Sequence, residues 1–277
     1  MKRYDGDSGA YLGEFGKGYF SQVDQIYADG STGLAYVTDQ IRNSVSVFNY
    51  STGAFVREWF MGSPTATSVS SGVVRMADGN LAVTSNQTLF KYTLTGTLLA
   101  TYTSTSSFYS ITADSFGNVL AFTSGAQYIR LNSSLTVLNG PMASSSNLYG
   151  NGLFRSGKLF VADYSAGAVR SYTVSSGGTL TGGPTFLDAQ LLSGALSVAA
   201  GHDQMIYSSG NAVGGGSSIY RTSTFSNLLA PQLVVNVPSG VSFRAVATVI
   251  APEPTALLPL GIGAALLCRS RKQGSKK

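Results

Sequence analysis

Apolar residues come in short bursts separated by Ser/Thr/Gly-rich turns, and the bursts recur in register. Residues 3–15 (RYDGDSGAYLGEF), 47–59 (VFNYSTGAFVREW) and 90–102 (FKYTLTGTLLATY) each read as strand, Ser/Thr-Gly turn, strand, the pattern of a β-hairpin. Weaker copies begin near Tyr128, Val169 and Ile219. The turn glycines Gly9, Gly53 and Gly96 stand 44 and 43 residues apart, and Gly177 falls 81 further on, close to two periods. A second element precedes each hairpin: a tight turn that runs into a short β-branched or aromatic strand, at residues 33–37, 78–83, 116–121, 156–161 and 203–207. Another apolar piece comes before it, as at 72–76 and 110–113. Four short strands in about 43 residues is the signature of a propeller blade.

The rhythm predicts an all-β chain: a β-propeller of about six four-stranded blades, one of them incomplete, over residues 1–250. Five full blades are expected at roughly 22–62, 63–104, 105–142, 143–185 and 190–235. Residues 2–15 supply only the two outer strands of a sixth, and residues 241–250 (VSFRAVATVI) supply an inner strand that closes the ring. One strand of that blade is then missing, and the expectation places it immediately upstream of residue 1. A β-sandwich or β-solenoid is the competing architecture, disfavoured by the four-strand period. Within the repeat, residues 36–48 carry Val37-Thr38-Asp39, then Asn43-Ser44-Val45, then the aromatic Phe48, and this segment resembles an NHL-type repeat. Residues 160–164 repeat its first half, with Ala166-Gly167 where the Asn is expected; Ser85, Ser124 and Ser208 or Ser209 replace the Asp elsewhere. The resemblance covers most of residues 1–250 in rhythm and two blades in detail.

The C-terminal stretch, 251–277, is of another kind. Pro252-Glu253-Pro254 is followed by an uncharged apolar run from Thr255 to Cys268 and then by Arg269, Arg271 and Lys272. The order of these three parts resembles the PEP-CTERM sorting signal of biofilm-forming Gram-negative bacteria. That resemblance implies export, transient inner-membrane anchoring and cleavage near Pro252-Glu253-Pro254 by an exosortase-type enzyme, with the body then at the cell surface or outside the cell. The apolar run is expected to form a short hydrophobic helix. It is shorter than the ~20 residues that span a bilayer comfortably, and Pro259, Gly261 and Gly263 weaken it further. The basic residues behind it act as a cytoplasmic stop by the positive-inside rule. The alternative is a buried C-terminal helix of a soluble domain. The other end, Met1-Lys2-Arg3-Tyr4-Asp5-Gly6, has no apolar h-region or cleavage site. The expectation is that the natural chain starts further upstream, with an export signal.

Composition sharpens this picture. Only 11% of residues are charged, while Gly, Ser, Thr, Tyr and Phe are plentiful, which suits many short strands and tight turns. The net charge of +5 misleads: five of the 18 basic residues lie in the tail, leaving 13 basic against 12 acidic residues up to Ala251. A nearly neutral body gives no electrostatic case for nucleic acid. The single cysteine, Cys268, lies in the apolar tail, so the processed body has no disulfide.

Candidate chemistry is sparse. A metal-dependent lactonase or lyase-like propeller needs hard oxygen ligands converging on the channel. The body has two glutamates, Glu14 and Glu58, at equivalent positions late in an outer hairpin. Asp39 and Asp163 sit where a carboxylate caps the following turn, and Asp5, Asp7, Asp29 and Asp78 lie in turn contexts. His202, the sole histidine, is followed by Asp203 with no nucleophile motif nearby, and Gly214-Gly215-Gly216 opens no helix. Tyr11, Phe55, Trp59, Tyr102, Tyr109 and Tyr128 suit polysaccharide stacking, but packing between blades is the commoner use of such positions. The expectation is therefore a non-catalytic binding or scaffold propeller, without metal or cofactor; the alternative is a metal-dependent lactonase or lyase-like propeller enzyme. Its expected partners are the processing enzyme and extracellular polysaccharide or other surface proteins.

Overall fold

The computed structural model describes residues 1–4, 10–61, 72–144, 148, 152–155, 157–187, 192–200, 205–212, 217–223 and 232–237. A two-stranded hairpin, β1 (Lys2–Tyr4) and β2 (Tyr11–Glu14), comes first. Five four-stranded antiparallel sheets follow, each with its strands in chain order. Sheet I is β3 (Val23–Asp29), β4 (Leu34–Asp39), β5 (Ser44–Asn49) and β6 (Phe55–Phe60). Sheet II is β7 (Val73–Arg75), β8 (Leu81–Ser85), β9 (Thr88–Tyr92) and β10 (Leu98–Thr103). Sheet III is β11 (Phe108–Ala113), β12 (Val119–Thr123), β13 (Gln127–Leu131) and β14 (Val137–Ala143). Sheet IV is β15 (Gly152–Arg155), β16 (Lys158–Asp163), β17 (Ala168–Val174) and β18 (Leu180–Leu187). Sheet V is β19 (Leu192–Ala200), β20 (Met205–Ala212), β21 (Ser217–Ser223) and β22 (Gln232–Val237). The five strand groups fall where the repeat places them.

First strands meet first strands: β3 packs beside β7, β7 beside β11, β11 beside β15, and β15 beside β19. The sheets therefore radiate from a common axis, blade after blade, and the arrangement is propeller-like. Residues 241–250 and 251–277, with the expected closing strand and C-terminal helix, lie outside the described residues. Among the described residues no helix is long and apolar enough to cross a membrane.

The core is divided into layers between neighbouring blades. Tyr36, Val45 and Val47 of sheet I meet Leu81, Val83 and Tyr92 of sheet II. The opposite face of sheet II, with Ala82 and Leu89, meets Phe108, Val119 and Ala121 of sheet III. Leu120, Phe122 and Tyr128 of sheet III then meet Leu159, Val161 and Tyr172 of sheet IV. Phe160, Ala162 and Val169 of sheet IV turn towards Val198 of sheet V. Alternate side chains of a second strand thus enter two different layers. That is why β8 (LAVTS) and β12 (VLAFT) are buried at every position and lack the polar–apolar alternation of a one-faced strand. The outermost strands have only one neighbour, and β10 shows exposed Leu98 and Leu99.

Adjacent blades are also latched at their outer hairpins. Gly96 has φ +94°, and a Cβ there would stand 2.8 Å from the Trp59 ring of sheet I. Gly53 (φ +76°) stands in the same relation to Phe15, where a Cβ would lie 2.7 Å from the side chain. Phe15 and Trp59 each follow a glutamate in the repeat, so the same aromatic knob meets a glycine socket at these two steps. The later turn glycine is Gly178 (φ +82°), one residue beyond the Gly177 expected from the sequence spacing, and the side chain against it is Arg130. The Gly178 amide closes the turn on Ser175 O at 2.8 Å, as the Gly96 amide does on Thr93 O at 3.0 Å. Gly9 lies outside the described residues.

Candidate functional site

A cavity of about 370 Å³ lies where the five first strands converge, walled by β3, β7, β11, β15 and β19. Its lining is dominated by aliphatic side chains, among them Ile26, Val74, Ala113, Leu153 and Val198. Two charged residues reach it, Arg75 and Asp114. Arg75 Nη1 lies 2.7 Å from Asp29 Oδ2, and Asp114 Oδ2 accepts from Arg130 Nε at 2.9 Å. Thr112 Oγ1 donates to Gly152 O at 2.9 Å, tying β11 to β15. Gln25, 6% exposed, accepts the Val73 amide on Oε1 at 2.9 Å, which ties β3 to β7.

The carboxylates noted in the sequence are spread over the blades, and each one described in detail has structural work. Asp39, the last residue of β4, is fully buried and accepts the amides of Ser21 at 2.5 Å and of Ile41 and Arg42 at 3.0 Å each. Asp163 ends β16 in the same way, accepting from Ala166 N at 3.1 Å and Arg170 Nε at 2.6 Å. Both are the turn caps that the sequence predicts. Asp29 takes the Ser31 amide at 3.0 Å and its hydroxyl at 2.8 Å. Burial alone raises the Asp29 pKa, but the Ser31 and Thr32 hydrogen bonds and the Arg75 charge outweigh it, and the net shift is downward. Asp78 is lowered for the same balance of reasons, with Lys91 Nζ 2.6 Å from Oδ2. Glu58 lies on the outer strand β6, bound by Arg42 at 2.8 Å, Ser44 Oγ at 2.8 Å and Ser46 Oγ at 3.1 Å. Glu14 is exposed on β2. Among the described residues, no three acidic, histidine or cysteine side chains gather as a metal site.

The aromatic candidates divide. Trp59 packs between Tyr36 and Tyr92, with ring centroids 6.4 and 5.8 Å away. Tyr102 packs against the layer between sheets II and III. Tyr128 is buried, donating its hydroxyl to Gly178 O at 3.1 Å and accepting the Leu180 amide at 3.0 Å. Phe55 stacks on Tyr19 at 4.7 Å, and Tyr11 is exposed on the edge strand β2. Tyr109 is half-buried on β11. These rings form no continuous platform; three of them serve blade packing. Burial raises Tyr27 and Tyr92 to about 12. Pro252, Glu253, Pro254, Arg269, Arg271 and Lys272 lie outside the described residues, as do Cys268, His202, Asp203, residues 214–216, Asp5 and Asp7.

Sequence reasoning missed the Asp114–Arg130 pair and the cavity. Asp114 Oδ1 accepts the amides of Phe116 at 2.8 Å and Asn118 at 2.9 Å, so it too caps a turn. Arg130 reaches across to sheet IV, donating from Nη1 to Ser176 O at 2.7 Å, and lies over the Phe116 ring at 5.4 Å. The signal was a lone arginine inside the apolar strand Gln127–Leu131.

Sheets radiating from a channel define an all-β protein of propeller-like fold. Solved structures similar to it include virginiamycin B lyase from Staphylococcus aureus, 18% identical, with a TM-score of 0.53 over 80% of this chain and 71% of that one. A luciferin-regenerating enzyme matches with a TM-score of 0.63 at 12% identity, covering 84% of this chain and 81% of that one. The calcium-binding protein regucalcin from Agrobacterium tumefaciens matches at 0.58 and 11% identity, over 84% of this chain and 79% of that one. At such identities the likeness shows the fold alone. No protein-family model and no curated protein sequence matches the chain.

Proposed function

We propose that this chain is an exported propeller with a non-catalytic binding or scaffold role at the cell surface or in the extracellular matrix. The observation that carries the non-catalytic part is the use of its carboxylates. Asp29, Asp39, Asp78, Asp114, Asp163 and Glu58 are each held by turn amides, hydroxyls or a cation, so their charge and lone pairs are already engaged. The two nearest the cavity, Asp114 in its lining and Asp29 behind the lining residue Arg75, are paired with Arg130 and Arg75.

The finer reading has six blades. The β1–β2 hairpin is the outer half of the sixth, and residues 241–250 supply its inner strand. Sorting rests on the C-terminal sequence, where Pro252-Glu253-Pro254, the apolar run and Arg269, Arg271 and Lys272 follow one another. An exosortase-type enzyme is the processing partner, and the inner membrane a transient station. Extracellular polysaccharide or other surface proteins are the partners of the body.

Two measurements test this reading. Replacement of Pro252, Glu253 and Pro254 by alanine leaves the body folded and traps the chain with its tail uncleaved, as read by intact mass from the native cells. Normal processing of that variant overturns the sorting assignment. Millimolar calcium, magnesium, manganese or zinc leaves the unfolding temperature unchanged; saturable stabilisation by one of them overturns the non-catalytic reading in favour of a metal-dependent hydrolytic propeller.

A further inference from the structure

We propose that the cavity among the first strands is a binding site for a small, uncharged, mainly apolar molecule that carries a carbonyl or ether oxygen. This deepens the reading of the body as a binding module and rests on it. At about 370 Å³ the space is within the range of small-molecule pockets, ~300–1,000 Å³. It is built by five blades at once, so no single blade has to deform to form it.

The wall decides the chemistry. Ile26, Ala28, Val74, Ala113, Leu153 and Val198 offer a ligand only dispersion contacts and apolar burial. The charges in the wall are internally neutralised, Arg75 by Asp29 and Asp114 by Arg130. An anionic or cationic ligand would enter with its own charge unpaired, which is costly away from water. Burial that pushes the Tyr27 hydroxyl up to about 12 marks the same apolar surroundings. The Thr112 hydroxyl spends its one donor on Gly152 O, which leaves it only acceptor capacity and nothing to donate to a ligand oxygen.

Gln25 is the exception. Its Oε1 must be the atom that takes the Val73 amide, because that partner is a donor, and the assignment leaves Nε2 as the free end. Among the described residues Nε2 makes no hydrogen bond, although Gln25 is 6% exposed and lines the cavity. A ligand oxygen placed against it satisfies that donor.

The test uses the full chain and two fluorescent probes of similar ring size: Prodan, a neutral naphthyl ketone, and anilinonaphthalene sulfonate, an anion. The expected result is saturable, one-to-one binding of Prodan with blue-shifted emission, and sulfonate binding weaker by more than about ten-fold. Ala113→Leu and Ala28→Leu, which fill the cavity from two different blades, each weaken Prodan by about ten-fold or more while the Trp59 emission stays native. Gln25→Met weakens it by about five-fold, the worth of one hydrogen bond. Absence of saturable Prodan binding, equal binding of the sulfonate, or unchanged affinity in both natively folded leucine variants overturns the proposal. Those failures leave tail processing and metal response untouched, so they are distinguishable from failure of the broader reading.

Discussion

Replacing Arg130 by methionine isolates what the buried ion pair contributes to blade stacking. The Arg130 side chain is 5% exposed and that of Asp114 0%, so the substitution strands a carboxylate out of water. Removing one partner of a buried pair costs about 3–5 kcal/mol. Asp114 keeps the amides of Phe116 and Asn118, which places the expected loss near the lower end, at about 3 kcal/mol. The bond from Arg130 to Ser176 O goes as well, and with it a tie between sheets III and IV. For a domain of this size each kcal/mol moves the midpoint by about 2–4 °C, so unfolding should fall by about 6–12 °C. Circular dichroism follows all the sheets, and emission from Trp59, the single tryptophan, follows the layer between sheets I and II. The double variant Arg130→Met/Asp114→Asn removes both charges and should recover at least about 1 kcal/mol relative to the sum of the single changes. A loss below about 1 kcal/mol for Arg130→Met, or additive effects in the double variant, would refute the reasoning.

Gly96→Ala combines a left-handed backbone with a Cβ 2.8 Å from Trp59, whereas Gly33→Ala, at φ +73°, meets nothing within 4 Å. Both pay about 1–2 kcal/mol of backbone cost, but only Gly96→Ala should lose more than that and shift the Trp59 emission; equal losses with unchanged emission would dismiss the knob-and-socket contact. Tyr27 and Tyr92, raised from 10.0 to about 12, hold protons in the folded state that the unfolded chain releases. Their contribution is complete below about pH 10 and is lost as pH rises towards about 12, so the urea midpoint should drop across that window and drop less in Tyr92→Phe. A flat profile there, or a Tyr92→Phe profile identical to the parent, contradicts the assignment.

The four-stranded rhythm of the described body is legible in the sequence because a propeller repeats its turn chemistry. Gly33, Gly79, Gly117 and Gly157 all adopt positive φ between a first and a second strand, and their spacing is visible in the chain. The turn between second and third strands also needs a left-handed residue, but Asn43, Asn86, Ala126 and Gly167 fill it in successive sheets. Four positions of one backbone role with three residue types cannot be matched by eye, and alanine announces nothing. Spacing alone put the outer-hairpin turn glycine at Gly177, although the neighbouring Gly178 is the residue with positive φ, since adjacent glycines are equivalent until the backbone is seen.

The hidden part of the site has one common cause. Gln25 and Val73 are 48 residues apart, Thr112 and Gly152 are 40, and Arg130 and Ser176 are 46. Each of these bonds joins one blade to the next at roughly the repeat length. Such a partner cannot be read from local pattern, because the repeat that fixes the blade makes neighbouring blades look alike. The same geometry separates the joints of this body from the cavity among its first strands. Carboxylates at the strand ends secure turns and neighbouring blades, so the space along the axis is left to side chains that the repeat does not constrain. On the proposed reading, Ala28 and Ala113 can be substituted without disturbing a cap or a latch, whereas Gln25 carries the bond that ties β3 to β7.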